Sequence, residues 1–255
     1  MPRFTREASP TRRGPALGPE TRGFSLIELL LVVAIVAVLV GILVPALSTA
    51  REAGRSTVCR SNLRQIAVIS TDYADANRGF SPALGQPYAA VPNWALVTQQ
   101  AAGLTGSGAN LYATTSVLVC PTTRARLGPG MQRTYAVNVT GRSGLGADGA
   151  SGIADPDNYD AGPVHIRVGN LARPGAVPWY LDSGVATTTT AGPPPTRTAS
   201  VLDFRISAHV SERVGRVHGR DGRFSLVFFD VSVRGLTEPR ADGTGMPAEW
   251  LERLP

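Results

Sequence analysis

Residues 29–47 form an unbroken apolar run of 19 residues, and one carboxylate, Glu28, sits directly in front of it. As an α-helix rising about 1.5 Å per residue, the run is about 28 Å long, which matches the hydrocarbon core of a bilayer. Five arginines precede it (Arg3, Arg6, Arg12, Arg13 and Arg22). The positive-inside bias therefore puts residues 1–23 in the cytoplasm and sends the chain across the membrane once.

Such a segment can be a permanent signal anchor or a cleaved secretory signal, with Ser48 and Ala50 as small residues near a signal-peptidase site. It can also follow a leader that is removed ahead of the helix. Secretory signals have apolar regions of about 7–15 residues, and this one is longer. Glu28 decides between the rest. A carboxylate inside a membrane helix costs about 2.5–3.5 kcal/mol on insertion scales, so a plain anchor would gain by losing it.

The run Arg22-Gly23-Phe24-Ser25-Leu26-Ile27-Glu28 resembles the class III signal of type IV pilins and pseudopilins. The resemblance implies that a prepilin peptidase cuts between Gly23 and Phe24 and methylates the new N-terminus. It implies that Glu28 is needed for assembly, and it places Pro45 where pilins commonly carry a proline. Cleavage leaves a positive amine on Phe24, and the Glu28 carboxylate of a neighbouring subunit can neutralise it inside an apolar bundle. A lone charge left there would be costly, so the pair acts as a register device.

Beyond the apolar run the texture changes. Residues 46–77 contain no Pro and one Gly, and Cys59, Leu63, Ile66, Ser70 and Tyr73 recur at helical spacing, so the helix is expected to continue with an amphipathic face. Pro45 is expected to kink or loosen it, and Asn77-Arg78-Gly79 to end it. The later chain holds most of the 28 Gly and 20 Pro and alternates short β-prone runs with turns. Candidate strands are residues 116–120, 133–139, 164–168, 177–181, 214–218 and 223–234, with Gly219–Gly222 as a hairpin turn. The expected architecture is α+β, a long N-terminal helix packed on an antiparallel β-sheet, and the resemblance implies the type IV pilin-like fold. The divisions are a leader at 1–23, a transmembrane helix at 24–47, an amphipathic continuation at 48–78 and an extracytoplasmic sheet domain at 79–255.

A second resemblance joins the two ends of the soluble part. Residues 51–53 and 59–66, Cys120-Pro121, and a late His and Asp are similar to the prepilin-type proteins named for an H-X9-DG motif. Here His218 and Asp230 enclose eleven residues, and Val231 stands where that group has Gly.

The chain has two cysteines, Cys59 and Cys120. Outside the cytoplasm such a pair usually forms a disulfide, which across 60 intervening residues would contribute roughly 4 kcal/mol. The alternative is two small buried apolar side chains. His165, His209 and His218, with Asp182, Asp221 and Asp230, show no ligand spacing of the His-x-x-x-His kind, so His218 reads as a hydrogen-bonded structural residue. Asp155, Asp157, Asn158 and Asp160 make an oxygen-rich loop that could take calcium, yet it lacks EF-hand spacing and otherwise reads as a solvated turn. No other cofactor is expected.

Composition excludes several activities. Every basic residue is Arg, which removes lysine-dependent chemistry, and no Gly-x-Ser-x-Gly elbow occurs. The formal charge of +6 falls to about +3 without residues 1–23. Arg124, Arg126, Arg133, Arg142 and Arg220 are scattered, so no nucleic-acid partner is expected. The reading is a non-enzymatic structural subunit of a type II secretion or type IV pilus-like filament. Its expected partners are the prepilin peptidase, other pilin or pseudopilin subunits and the inner membrane, with the C-terminal domain in the periplasm or outside the cell. The alternatives are a scarce tip subunit that binds a ligand and, more remotely, a tethered hydrolase.

Overall fold

The computed structural model describes residues 24–84, 93–104, 116–141, 165–184, 197–199 and 201–255. The chain divides into two compact units, Met1–Leu47 and Ser48–Pro255. Helix α1 (Leu26–Ala76) begins in the first and ends in the second, and it continues without a break through Pro45. In the first unit every described side chain from Phe24 to Leu47 is exposed. The helix is long and apolar enough to cross a membrane, and such exposure suits a lipid environment, where the backbone bonds are satisfied within the helix. At its C-terminal end Arg78 and Gly79 take φ of 58° and 82°. The Gly79 amide returns to the Ala74 carbonyl at 2.8 Å, a left-handed terminator of the expected kind.

The second unit carries α2 (Trp94–Ala101), α3 (Pro121–Leu127), β1 (Tyr135–Asn138), β2 (Pro178–Asp182), β3 (Val201–Leu202), α4 (Ser207–Arg213), β4 (Phe224–Phe228), β5 (Val233–Leu236) and α5 (Ala248–Leu251). The strands form one sheet in the order β3-β1-β2-β4-β5. Four of them pair antiparallel, but β3 runs parallel to β1, with Val137 opposite Val201. The sheet is therefore mixed, and the expectation of a purely antiparallel one is corrected. A strand of two residues offers too little alternation to be seen in a sequence.

Both faces of the sheet are covered. On one, Cys59, Leu63, Ile66 and Ala67 of α1 pack with Tyr135, Val137, Trp179 and Tyr180. On the other, Val210 of α4 and Trp250 of α5 pack with Ala136, Leu181, Leu202, Phe224, Leu226 and Phe228. Successive residues of β1 thus go to opposite cores, as the two-residue period requires. Because neither face meets water, β1, β2 and β4 are buried at every position, the pattern of a doubly covered sheet.

Three expected strands are not strands. Residues 116–120 turn and then start α3, with Pro121 in the first turn, where its missing N–H costs nothing. Residues 165–168 make only an isolated bridge, Arg167 to Phe80, before a 3-10 turn; Val164 lies outside the described residues. Residues 214–218 bridge singly at Val214 and His218. Between them a Cβ on Gly215 would lie 2.6 Å from the Ser183 carbonyl oxygen, so the chain passes there at a distance that no other residue permits. The run 223–234 is a hairpin, β4 and β5, rather than one strand. The expected turn at Gly219–Gly222 is present, since His218 and Arg223 exchange both backbone hydrogen bonds at 2.8 and 2.9 Å.

The buried stripe of α1 sets the stability of the second unit. Leu63 is fully buried, whereas Val68, five residues on, is 43% exposed. Leu63→Ala should lower the unfolding free energy by about 2–5 kcal/mol, while Val68→Ala should stay within about 0.5 kcal/mol. Denaturant titration of the full chain in detergent checks the contrast.

Candidate functional site

Two regions carry the residues that the sequence singles out. The first is the start of α1. Phe24 is 76% exposed, and α1 opens two residues later. The Glu28 carboxylate accepts a hydrogen bond from the Ser25 backbone N–H at 2.9 Å. Ser25-Leu26-Ile27-Glu28 has capping-box spacing and makes the acidic half of that motif: the Glu in the first turn reaches back to an amide that the helix leaves without a partner. Its negative charge also faces the positive end of the helix dipole. Glu28 thus has a role within its own helix besides the expected intermolecular one, and the Ser-x-x-Glu spacing is the sequence signal for it. Pro45 lies inside α1. Gly23 lies outside the described residues.

The second region is a buried polar hub between α1 and the sheet, wholly within the second unit. Cys59 and Cys120 form a disulfide with their Cα atoms 4.8 Å apart, which decides between the two readings of the cysteines. Polar ties surround it. The Asn62 amide donates to the Val119 carbonyl at 3.1 Å, the Tyr135 hydroxyl to the Cys59 carbonyl at 3.2 Å, and Ser70 shares a 2.7 Å bond with the Tyr180 hydroxyl. His218, 3% exposed, places Nε2 3.0 Å from Asp182 Oδ2 and 3.8 Å from Cys120 Sγ. Its Nδ1 lies 3.6 Å from Glu52 Oε1, too long for a hydrogen bond. Glu52 is itself held by the Thr122 hydroxyl at 3.2 Å. Asp182 Oδ2 also accepts the Ser225 N–H at 2.7 Å. The spacing of His218, Asp182 and Glu52 along the chain gives no sign that they meet.

Burial alone would pull the His218 imidazole down. The hydrogen bond and charge of Asp182, with the charge of Glu52, outweigh that, and its pKa lies above the usual value. His209 behaves oppositely. Burial and the nearby Arg213 lower it to about 3, against a small opposing pull from Asp203. As a neutral ring it accepts the Asp203 N–H at Nδ1, 3.1 Å away. His165 Nδ1 donates to the Ser81 carbonyl at 2.8 Å.

The structure does not bring His218 and Asp230 to one site. Asp230 is exposed and accepts both the N–H and the hydroxyl of Ser232, at 2.9 and 2.6 Å. Val231 takes φ of 67°, a left-handed conformation that is costly for a β-branched residue and free for Gly. The backbone geometry at this position would suit Gly better than the Val present. Of the scattered arginines, Arg133 is fully buried, Arg126 bonds the Gly219 carbonyl at 3.3 Å, and Arg142 lies outside the described residues. The oxygen-rich loop at 155–160 lies outside them as well.

Compared with known proteins, residues 20–44 match the family description "Prokaryotic N-terminal methylation motif". No curated protein and no solved structure matches the chain.

The two buried histidines give the second unit opposite pH dependences. Both start from an ordinary value near 6.5 in the unfolded chain. His209, lowered to about 3, contributes stability above pH 6.5 and loses it as pH falls toward 3. His218, raised, contributes below 6.5 and loses it as pH rises through its folded value. A His209→Asn variant, which keeps an acceptor, should therefore lose less stability than the wild type as pH falls from 6.5 to 4. The differential is on the order of a few kcal/mol, read from denaturant midpoints across pH.

Proposed function

We propose that this protein is made as a prepilin, cut between Gly23 and Phe24, and assembled through its N-terminal helix as a pseudopilin-type subunit of a secretion or pilus-like filament. The methylation motif at residues 20–44 carries the reading. It covers the leader junction, the capping turn and most of the apolar run. The geometry supports it, because Phe24 and the first turn of α1 are exposed to an incoming peptidase or subunit. In this reading the leader faces the cytoplasm, the helix crosses the inner membrane once, and the sheet domain faces the periplasm or the exterior. The sheet domain presents a surface to other subunits and performs no catalysis. The prepilin peptidase and sister subunits are its partners, and it needs no cofactor. The filament proposed is of the type II secretion or type IV pilus kind, with this chain as a main subunit. Abundance tests this against a tip role: a main subunit dominates purified filaments, and a tip subunit is scarce in them.

The mature chain in envelope material should begin at Phe24 and be one methyl group heavier than its sequence mass, as intact-mass measurement will show. A chain starting at Arg51 would indicate ordinary signal peptidase, and one starting at Met1 a permanent anchor.

Glu28 has two separable tasks, capping its own helix and pairing with a neighbour's Phe24 amine. Glu28→Gln keeps a carbonyl oxygen for the Ser25 amide and removes the charge. Glu28→Leu removes both and makes insertion more favourable. If the charge pair drives assembly, both variants are processed normally and both lose filaments in shear fractionation. If capping alone matters, Glu28→Gln assembles like the wild type and only Glu28→Leu fails.

A further inference from the structure

The hub around His218 holds more ligating atoms than a structural hydrogen bond needs. Cys59, Cys120, Asp182 and His218 each offer one donor atom, all four within 4.8 Å of one another and all four residues buried. A tetrahedral zinc ion, with bonds of about 2.3 Å to sulfur and about 2.0–2.1 Å to nitrogen or oxygen, sets ligand–ligand edges of about 3.3–3.8 Å. Two of the edges on this site already approach that size: His218 Nε2 to Cys120 Sγ at 3.8 Å and His218 Nε2 to Asp182 Oδ2 at 3.0 Å. The sulfur–sulfur pair is bonded and must open, and the set as a whole, which spans up to 4.8 Å, must draw in around the ion.

The surroundings match as well. A zinc-bound histidine commonly has its second ring nitrogen directed to a carboxylate. His218 Nδ1 faces Glu52 Oε1 at 3.6 Å, and Thr122 holds that carboxylate in place. Asp182 Oδ1 and His218 Nδ1 are buried without a hydrogen-bond partner, so the hub is not fully satisfied as a set of hydrogen bonds.

We propose that this cluster is a zinc site in the reduced protein, with Cys59 Sγ, Cys120 Sγ, His218 Nε2 and an Asp182 carboxylate oxygen as ligands, and that the disulfide is its oxidised alternative. The chemistry balances in two steps. A dithiol reductant gives two electrons and two protons to the Cys59–Cys120 bond, which becomes two thiols while the reductant closes its own disulfide. Zinc(II) then displaces the two thiol protons and binds both thiolates, with no change of oxidation state. Two thiolates, a neutral imidazole and a carboxylate are a donor set that zinc accepts. Since Cys59, Cys120 and Asp182 are 0% exposed, the choice between the two states is made as the domain folds. Folding under oxidising conditions closes the disulfide, and folding with reductant and zinc fills the site.

The test unfolds the full chain in detergent with a dithiol reductant, refolds it with or without zinc chloride, and measures bound metal after gel filtration. The same is done for His218→Ala, Asp182→Asn and the Cys59→Ser/Cys120→Ser double variant, and cobalt(II) is substituted to read the coordination spectrum. The expected result is about one zinc per reduced chain and none above background in the oxidised chain or the double variant. Affinity should fall at least tenfold in each single variant, and cobalt should give tetrahedral bands with thiolate charge transfer. If the reduced chain does not refold without metal, zinc should restore its native circular dichroism. Zinc held equally well by the single variants, no zinc above the double variant, or failure of zinc to restore the fold would each overturn the assignment. These outcomes are independent of processing at Phe24.

Discussion

The Cys59–Cys120 bond closes a sequence separation of 61 residues and fixes one point of α1 to the segment that enters α3. Much of the packing in the second unit depends on this anchor. It sets the rotation of the helix, so that Leu63, Ile66 and Ala67 enter the core while Arg55, Arg60 and Arg64 stay exposed. It also brings the Asn62 and Tyr135 side chains to the backbone groups they bond. A cross-link of this span restricts the unfolded chain by roughly 4 kcal/mol on the entropy account, comparable to a large share of a domain's net stability. For a domain rich in turns, with strands of two to five residues, that contribution is substantial.

Glu28 shows how one residue can answer two demands. In lipid a bare carboxylate is expensive, and the capping bond to Ser25 relieves part of that cost within the chain itself. What the cap leaves is a net negative charge at the head of an apolar helix. An assembly can use that charge, because only a partner bearing a positive group removes it. Local capping and intermolecular pairing are therefore compatible, and the cap holds the carboxylate at the helix end, where a neighbour's amine can reach it.

The interior of the sheet domain is apolar on both faces, yet it encloses His218, Asp182 and the disulfide within one hub, with Glu52 at its edge. Polar groups so enclosed need partners, and α1, β2 and the turn before β4 supply them for all but Asp182 Oδ1 and His218 Nδ1. Val231 is a different kind of exception. Its positive φ places strain of about 1–2 kcal/mol in the β4–β5 turn, partly offset by its packing against the core.

The membrane-length run, the charge asymmetry before it, the leader junction and the amphipathic stripe were legible in the sequence because each is local: length, sign and helical period need no distant partner. The helix stop at Arg78-Gly79 and the turn at Gly219–Gly222 were legible for the same reason, since they rest on backbone preferences of single residues. The second layer of helices over the sheet was not, because α4 and α5 are seven and four residues long, too short for a period to show. Nor was the parallel pairing of β3, a two-residue strand, or the failure of residues 214–218 to form one, which is set by how closely Gly215 passes Ser183. The meeting of Glu52, Asp182 and His218 at the disulfide belongs wholly to tertiary structure. These residues stand 130 and 36 positions apart along the chain, and only the packing of α1 on the sheet makes them neighbours.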